Sequence, residues 1–217
     1  MKIEQARFNM IEQQIRPWNV LDKGVLELLT IVKREKFLPE QQKTLAFMDT
    51  ELPLADGSLS LSPKIEAHIV QDVAIKKHEN ALVVGAGTGY LPALLAFHSR
   101  HVTCVENSPA VFAAAQTALQ REGVVNVSIV QGDGSKGWAA DAPYDVIVIT
   151  GSMPILPEEL KQQLKPGGRL FVILGSAPIM TANLVTRLSE TAFDSKPLFD
   201  TSVAATPNAE AVSAFSF

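Results

Sequence analysis

Cysteine is almost missing from this sequence. Cys104 is the only one in 217 residues, so no internal disulfide can form, and the composition suits a reducing compartment, the cytoplasm. Its setting, HVTCVE, reads as a buried strand. Also missing is an apolar secretory core at the N-terminus, where MKIEQARFNMIEQQIRP is charged and amphipathic. No apolar run approaches the ~20 residues that a membrane-crossing helix needs, so no membrane partner is expected. Charge of one sign is scarce: 19 Lys+Arg stand against 23 Asp+Glu, for a net charge of -4. Without a long basic run, a dedicated nucleic-acid binder is excluded. The four histidines, His68, His78, His98 and His101, lack metal-ligand spacing, and no metal is expected. His68 follows a Ser-rich loop by one helical turn. It can serve a hydroxyl or amine substrate as a base, or simply be a partly exposed helix histidine.

What the chain does have is 47% hydrophobic and 19% charged residues, enough for one sizeable core with an N-terminal extension. Ile3, Ala6, Met10, Ile11 and Ile15 recur at helical spacing until Pro17. Asp22 can cap a second helix bearing Val25, Leu26, Leu29 and Val32. After KREK, the stretch FLPEQQKTLAFMD predicts one short helix, and ELPLADGSLSLSP predicts a loop. Ser62-Pro63 and Ser108-Pro109 are both cap-plus-proline helix starts. Lys76, Lys77 and His78 are expected to favour the C-terminus of the first of these helices, and Gly123 sits where a C-terminal glycine closes the second.

From there strand and helix alternate. Strands are expected at about 81–84, 102–105, 127–130, 145–149 and 169–174, with helices at about 90–98, 109–121 and 157–164. LVTRLSET and the Ser/Ala/Phe-rich end are expected to supply closing strands. Runs such as VIVI imply a sheet covered on both faces, hence parallel βαβ units. The expectation is an α/β, doubly wound domain over residues 61–217, with residues 1–60 forming a helical cap and the loop that follows it.

The stretch ALVVGAGTGYLPALLA puts Gly85, Gly87 and Gly89 at a strand-to-helix turn. The dinucleotide fingerprint G-x-G-x-x-G fails here, because the sixth position is Tyr90. Alternate glycines suit a bare backbone turn under the amino-acid end of S-adenosylmethionine, which has no pyrophosphate; a purely structural turn is the plainer reading. Glu106 ends the next strand about 20 residues on, where a carboxylate can accept from both ribose hydroxyls, or can simply face solvent. Asp133, in QGDGS, can read an adenine amino group or make an ordinary Asp-Gly turn. LKPGGRL marks a turn before the fifth strand. Together these favour S-adenosylmethionine over a nicotinamide cofactor.

The segments NMIEQQIRPWNVLDKGVLELLTIVKREKFLP, VVGAGTGYLPALLA, VTCVENSP, VQGDGSKGW, APYDVIVITGS and LKPGGRLFVILG carry a resemblance over nearly the whole chain. It resembles the protein-L-isoaspartate O-methyltransferases. The resemblance implies a class I methyltransferase fold with a mostly parallel, seven-stranded sheet, and S-adenosylmethionine as cofactor. It implies cofactor contacts at Gly85, Gly87, Gly89, Glu106 and Asp133. The neighbouring Ala86, Thr88, Tyr90, Asn107 and Gly134 complete the candidate set. A carboxylate of a protein, a peptide or a small acid is the implied methyl acceptor.

Two positions depart from the family pattern. Val83 stands where an acidic residue is usual. The substrate loop, in the family Pro-Ile-Gly-x-Gly-Gln-Thr-Ile-Ser-x-Pro, is framed here by Pro53, Gly57 and Pro63. Leu59 then takes the Thr place and Leu61 the Ser place. Hydroxyls remain at Ser58, Ser60 and Ser62, which in an extended loop point the other way, leaving Ser60 and Ser62 as catalytic candidates. A carboxylate acceptor is ionised at neutral pH and needs no general base, so the want of a triad is no obstacle. The alternative is a relative that keeps the cofactor and a partner but does not turn over isoaspartyl substrates.

Overall fold

The structure is a computed structural model, and it describes residues 3–210. Helix α1 (Ile3–Met10) passes into a π-helical turn (Ile11–Ile15) and a 3-10 turn (Arg16–Trp18) that holds Pro17 and ends on Asn19 at φ 67°. The apolar spacing from Ile3 to Ile15 is therefore helical throughout, though its last turn is wider. Helix α2 (Lys23–Ile31) starts as expected, with the Asp22 carboxylate accepting the Val25 amide at 3.0 Å. The short helix expected before the loop is 3-10, Glu40–Leu45.

Helix α3 (Pro63–Val73) begins where Ser62-Pro63 predicts, but by another device. The Ser62 hydroxyl makes no cap bond; Asp49 reaches across from the preceding segment and accepts the Lys64 amide at 3.2 Å. Its other end differs too. The chain turns at Ala74 (φ 43°), before Lys76, and Arg169 donates to the carbonyls of Val73 and, at 2.8 Å, Ala74. A guanidinium from the far end of the chain does what the local basic cluster was expected to do.

Strands β1 (Asn80–Val84), β2 (His101–Glu106), β3 (Val127–Gln131) and β4 (Tyr144–Met153) are joined to one another and to β5 (Leu164–Ser176) by parallel pairing. Helices α4 (Tyr90–Phe97) and α5 (Pro109–Arg121) connect the first three strands, and the short α6 (Glu158–Gln162) precedes β5. Ser108 caps α5, its hydroxyl accepting the Val111 amide at 3.4 Å, and Gly123 follows α5 at φ 68°. The Pro-Gly-Gly turn bulges out of β5: Tyr144 pairs with Leu164 but Val146 already with Arg169. The closing strands β6 (Ile179–Arg187) and β7 (Phe193–Thr201) are antiparallel, giving one seven-stranded sheet in the order β3-β2-β1-β4-β5-β6-β7. LVTR lies in β6 as expected, the last strand is β7, and residues 211–217 of the Ser/Ala/Phe-rich end fall outside the described residues.

Alternation along the strands divides the core. Ala81, Val83, Val146 and Val148 face a large cluster with α2, α3 and α4, which takes in Ile15, Leu28, Leu29, Ile69 and Leu94. Leu82, Val84, Ile147 and Ile149 face a smaller one with Leu160 of α6. Val83 is fully buried in the first, so an acidic side chain there would point into hydrocarbon. Cys104 is fully buried beside it, and burial pushes its thiol up, away from thiolate chemistry. The strand order reverses between β1 and β4, and an open α/β sheet binds ligands at the carboxyl ends of the strands flanking such a switch.

Candidate functional site

The glycine turn leaves β1 at that switch. Gly85, Gly87 and Gly89 all adopt positive φ: 92°, 54° and 86°. A Cβ on Gly85 would lie 2.1 Å from Thr150 Oγ1 of β4, so only glycine lets the turn close against that strand. A Cβ on Gly87 would meet nothing within 4 Å, so the bare backbone faces open space. Gly89 serves packing: a Cβ there would press on Ala115 O and Leu119 Cγ of α5, both at 3.3 Å.

Glu106 ends β2, buried but on the wall of the same cleft. One carboxylate oxygen accepts the Ala86 amide and the other the Ser108 amide, both at 2.8 Å. Each oxygen keeps an acceptor site for a ligand hydroxyl. Asp133 accepts the Ser135 amide at 2.9 Å and the Asn208 side-chain amide at 3.1 Å. Those bonds, Ser135 first, hold its carboxyl below the usual range. Lys136 and Glu210 form a second, exposed tie between the β3–β4 loop and the C-terminal segment.

One cavity unites these groups. Gly85, Ala86, Gly87 and Thr88 line it with Glu106, Asn107, Asp133 and Gly134, and so do Ser58, Leu59, Ser60 and Leu61 from the loop before α3. Gly89, Tyr90 and Ser62 lie outside this lining. Tyr90 is buried in the large core with its ring 5.6 Å from that of Phe37, and burial raises its phenol strongly. Ser62 is buried at the start of α3. His68 is buried rather than partly exposed: Nε2 lies 2.6 Å from Trp18 O, and the ring packs tilted against Phe199, centroids 4.5 Å apart, outside the cavity lining.

The loop itself is a small hairpin. Pro53 bridges Leu59, Leu54 N donates to Ser58 O at 2.7 Å, and Gly57 turns the tip at φ 86°. Ser60 faces inward, accepting the Leu52 amide and donating to Leu61 O, both at 3.1 Å. Its single proton is therefore spent on the backbone. Ser58 donates to Asp56 at 2.6 Å, and Leu59 is 48% exposed.

Beneath the loop lies a feature that the sequence did not announce. Arg34 is 2% exposed and donates to Ala46 O (3.0 Å), Leu61 O (3.4 Å) and Glu66 Oε2 (3.3 Å). Glu66 lines the cavity, and burial, opposed by Arg34, pushes its carboxyl up to about 7. Arg7 pairs with Glu35 beside it. Nothing in KREK distinguishes these buried charges from solvated ones. Thr150, Gly151 and the segment Val203–Pro207, also on the cavity wall, were missed as well. Thr150 follows the apolar run Val146–Ile149 of β4 and could have been found at the switch point; the C-terminal segment belongs to no motif.

A bare glycine turn, a strand-end carboxylate and an acidic loop residue at the switch point of a seven-stranded sheet define a class I S-adenosylmethionine-dependent methyltransferase. Comparison with known proteins makes this specific. The profile described as Protein-L-isoaspartate(D-aspartate) O-methyltransferase (PCMT) matches residues 5–202. Protein-L-isoaspartate O-methyltransferase 1 of Rhodopseudomonas palustris (strain HaA2) is 40% identical over 188 residues, covering 87% of this chain and 76% of that one. A second Rhodopseudomonas palustris relative, Protein-L-isoaspartate O-methyltransferase of strain ATCC BAA-98 / CGA009, is 40% identical over 193 residues and covers 88% of each chain. Among solved structures, a protein-L-isoaspartate O-methyltransferase aligns with TM-score 0.80 at 26% identity, over 92% of this chain and 65% of that one. A putative Plasmodium falciparum member, in complex with S-adenosyl-L-homocysteine, shares the fold with TM-score 0.79 at 18% identity, over 94% and 97%. The chain belongs to the protein-L-isoaspartate(D-aspartate) O-methyltransferase family, whose members are S-adenosylmethionine-dependent enzymes. These matches support the enzyme rather than the binding-only relative.

Proposed function

We propose that the protein transfers a methyl group from S-adenosylmethionine to the side-chain carboxylate of isoaspartyl residues in proteins and peptides. The observation that carries this reading is the single cavity that runs from the glycine turn and Glu106 to the loop of residues 58–61. Gly85 to Thr88 would hold the amino-acid end of the cofactor and Glu106, with Asn107 beside it, its ribose. Asp133 and Gly134 would hold its adenine. The residues fit: Gly87 offers open space over bare backbone, and Glu106 retains acceptor capacity beyond its two amide bonds. When bound, the cofactor supplies a methyl activated by a positive sulfonium.

The protein's own work is then positioning and drying. The segment before α3 would act as a cap whose loop closes the acceptor side, with Leu59 and Leu61 lining it as apolar side chains. No side chain has to take a proton from the acceptor, because a carboxylate is already ionised at neutral pH. The single, buried Cys104 suits a cytoplasmic setting, and no helix among the described residues is long and apolar enough to cross a membrane.

The test is methyl incorporation from labelled cofactor into an isoaspartyl peptide and into the same peptide with ordinary aspartate. Incorporation confined to the isoaspartyl form is expected. Equal labelling of both, or of neither, overturns the reading.

A further inference from the structure

An isoaspartyl carboxylate brings a negative charge to a cavity with no Lys, Arg or His among the described residues of its wall. Glu51, Asp56, Glu66, Glu106 and Asp133 line it instead. The loop does offer two donors, the backbone amides of Leu59 and Leu61. Ser60 N donates to Leu52 O, so the amides on either side of it face the other edge, where neither has a partner among the described residues. Two free amides can bind an anion, but an ionised carboxyl beneath them would repel it.

Glu66 is the carboxyl beneath them. Arg34 ties it to the loop, donating to Leu61 O at 3.4 Å and to Glu66 Oε2 at 3.3 Å. Glu66 is 4% exposed, yet its other oxygen, Oε1, is neither paired nor sealed. Glu35 Oε2 and Tyr90 Oη, in the same cluster, are both closed off without a partner, whereas Glu66 Oε1 keeps access to the cavity. Arg34 and Glu35 come from the 3-10 turn Arg34–Phe37, Arg7 from α1 and Tyr90 from α4. On α3 itself Lys64 pairs with Asp49, and His68 packs against Phe199 outside the cavity lining. Arg7 is engaged by Glu35, which leaves Arg34 as the cation at Glu66. Burial outweighs that one cation and pushes the carboxyl up to about 7. Because Arg34 occupies Oε2, the proton of the neutral form belongs on Oε1, facing the cavity.

We propose that Glu66 gates the methyl acceptor: protonated, its Oε1–H donates to one oxygen of the isoaspartyl carboxylate, and ionised, it turns that carboxylate away. The second acceptor oxygen stays free to attack the methyl. Once bound, the acceptor's charge holds the proton on Glu66 more firmly still, as where two carboxyl groups share one proton. Binding near neutral pH therefore takes up a proton. The inference rests on the isoaspartyl reading above.

The experiment compares wild type with Glu66→Gln, whose amide oxygen can face Arg34 while its NH2 faces the cavity. The substrate is an isoaspartyl peptide with blocked termini and no other group that titrates near neutral pH. Its kcat/KM, which reports groups of the free enzyme, is measured from about pH 6 to about pH 9. Wild type should be level below about 7 and fall roughly ten- to a hundredfold above it, the worth of a hydrogen bond to a charged group. Glu66→Gln should keep the low-pH activity of wild type and lack the fall. Calorimetry of peptide binding to the S-adenosylhomocysteine complex, in two buffers of different ionisation enthalpy, should show proton uptake by wild type and none by Glu66→Gln. A fall shared by both proteins, a level wild-type profile or the absence of proton uptake overturns the proposal and leaves the isoaspartyl reading standing. So does a loss in Glu66→Gln that is equal at every pH, because it marks a support for the loop. A wild type that neither binds nor methylates the peptide at any pH overturns both readings.

Discussion

Glu106, at the end of β2, accepts the backbone amide of Ala86 at 2.8 Å, so the carboxylate of one strand holds the glycine turn of its neighbour. The residue proposed to meet the ribose is thereby also the one that shapes the turn beneath the amino-acid end. Glu106→Gln tests both roles, since it keeps the volume and removes the charge. The expected loss is about 1.5–3 kcal/mol in S-adenosylhomocysteine binding, the range for hydrogen bonds to a charged group. Calorimetry on the folded variant checks it, and unchanged affinity removes Glu106 from the site.

Gly85 faces Thr150 too closely for any side chain. With φ at 92° and a Cβ position 2.1 Å from Thr150 Oγ1, Gly85→Ala must move the turn away from β4. A cost of more than about 2 kcal/mol in stability is expected from the backbone and contact terms together. Urea denaturation reads it directly. Gly87→Ala meets no atom at all, so it should cost only the roughly 1–2 kcal/mol of a side chain at positive φ, less than Gly85→Ala, yet lose cofactor affinity, because its methyl would fill space left for the ligand.

Glu66 makes stability depend on pH in an unusual direction. Burial raises its carboxyl from 4.5 to about 7, with Arg34 at 3.3 Å opposing, and Arg7, Glu35 and Tyr90 surrounding the pair. A raised carboxyl means that the folded state holds the proton longer than the unfolded one. Its contribution is therefore fully present below about 4.5 and is lost as pH rises through about 7, on the order of 3 kcal/mol in all. Denaturant unfolding of wild type against Glu66→Gln across that window checks the sign. The difference should move in favour of Glu66→Gln as pH rises, and a constant difference would refute the assignment.

Leu59 and Leu61 are expected to hold isoaspartyl activity down. Their isobutyl groups leave the acceptor carboxylate with fewer donors than the family's loop provides, at a cost of a few kcal/mol for each unpaired charged group. The double variant Leu59→Thr, Leu61→Ser should raise kcat/KM on isoaspartyl peptides by about tenfold or more. Because Arg34 pins the loop through Leu61 O, the backbone can stay in place while the side chains change. A kinetic assay that shows no gain would mean that the loop does not reach the acceptor.

Much of this molecule could be read along the chain because the signals are local. The apolar runs of β1, β2 and β4, the proline at the start of α3 and α5, and the glycines at 85, 87 and 89 each act within a few residues. Glu106 and Asp133 were legible for the same reason: a strand end and a loop after a strand are positions in sequence before they are positions in space. For Ser60 and Ser62 the alternation was visible in the sequence, while the bonds from Leu52 and to Leu61, and the burial at the start of α3, were not.

By itself, then, the sequence determined the parallel α/β pattern, the bare turn and the carboxylates that follow it, all written in short-range periodicity and backbone freedom. Tertiary structure alone decided the long-range partners. Asp49 rather than Ser62 caps α3, Arg169 rather than Lys76 closes it, and Arg34 is buried on Glu66 and the loop. It alone also set Thr206 against Gly151, fifty-five positions away in the chain. Such pairings depend on which surfaces the sheet brings together once the cores on its two faces close. A buried charge and a solvated one, or a paired hydroxyl and a free one, are the same letter until that happens.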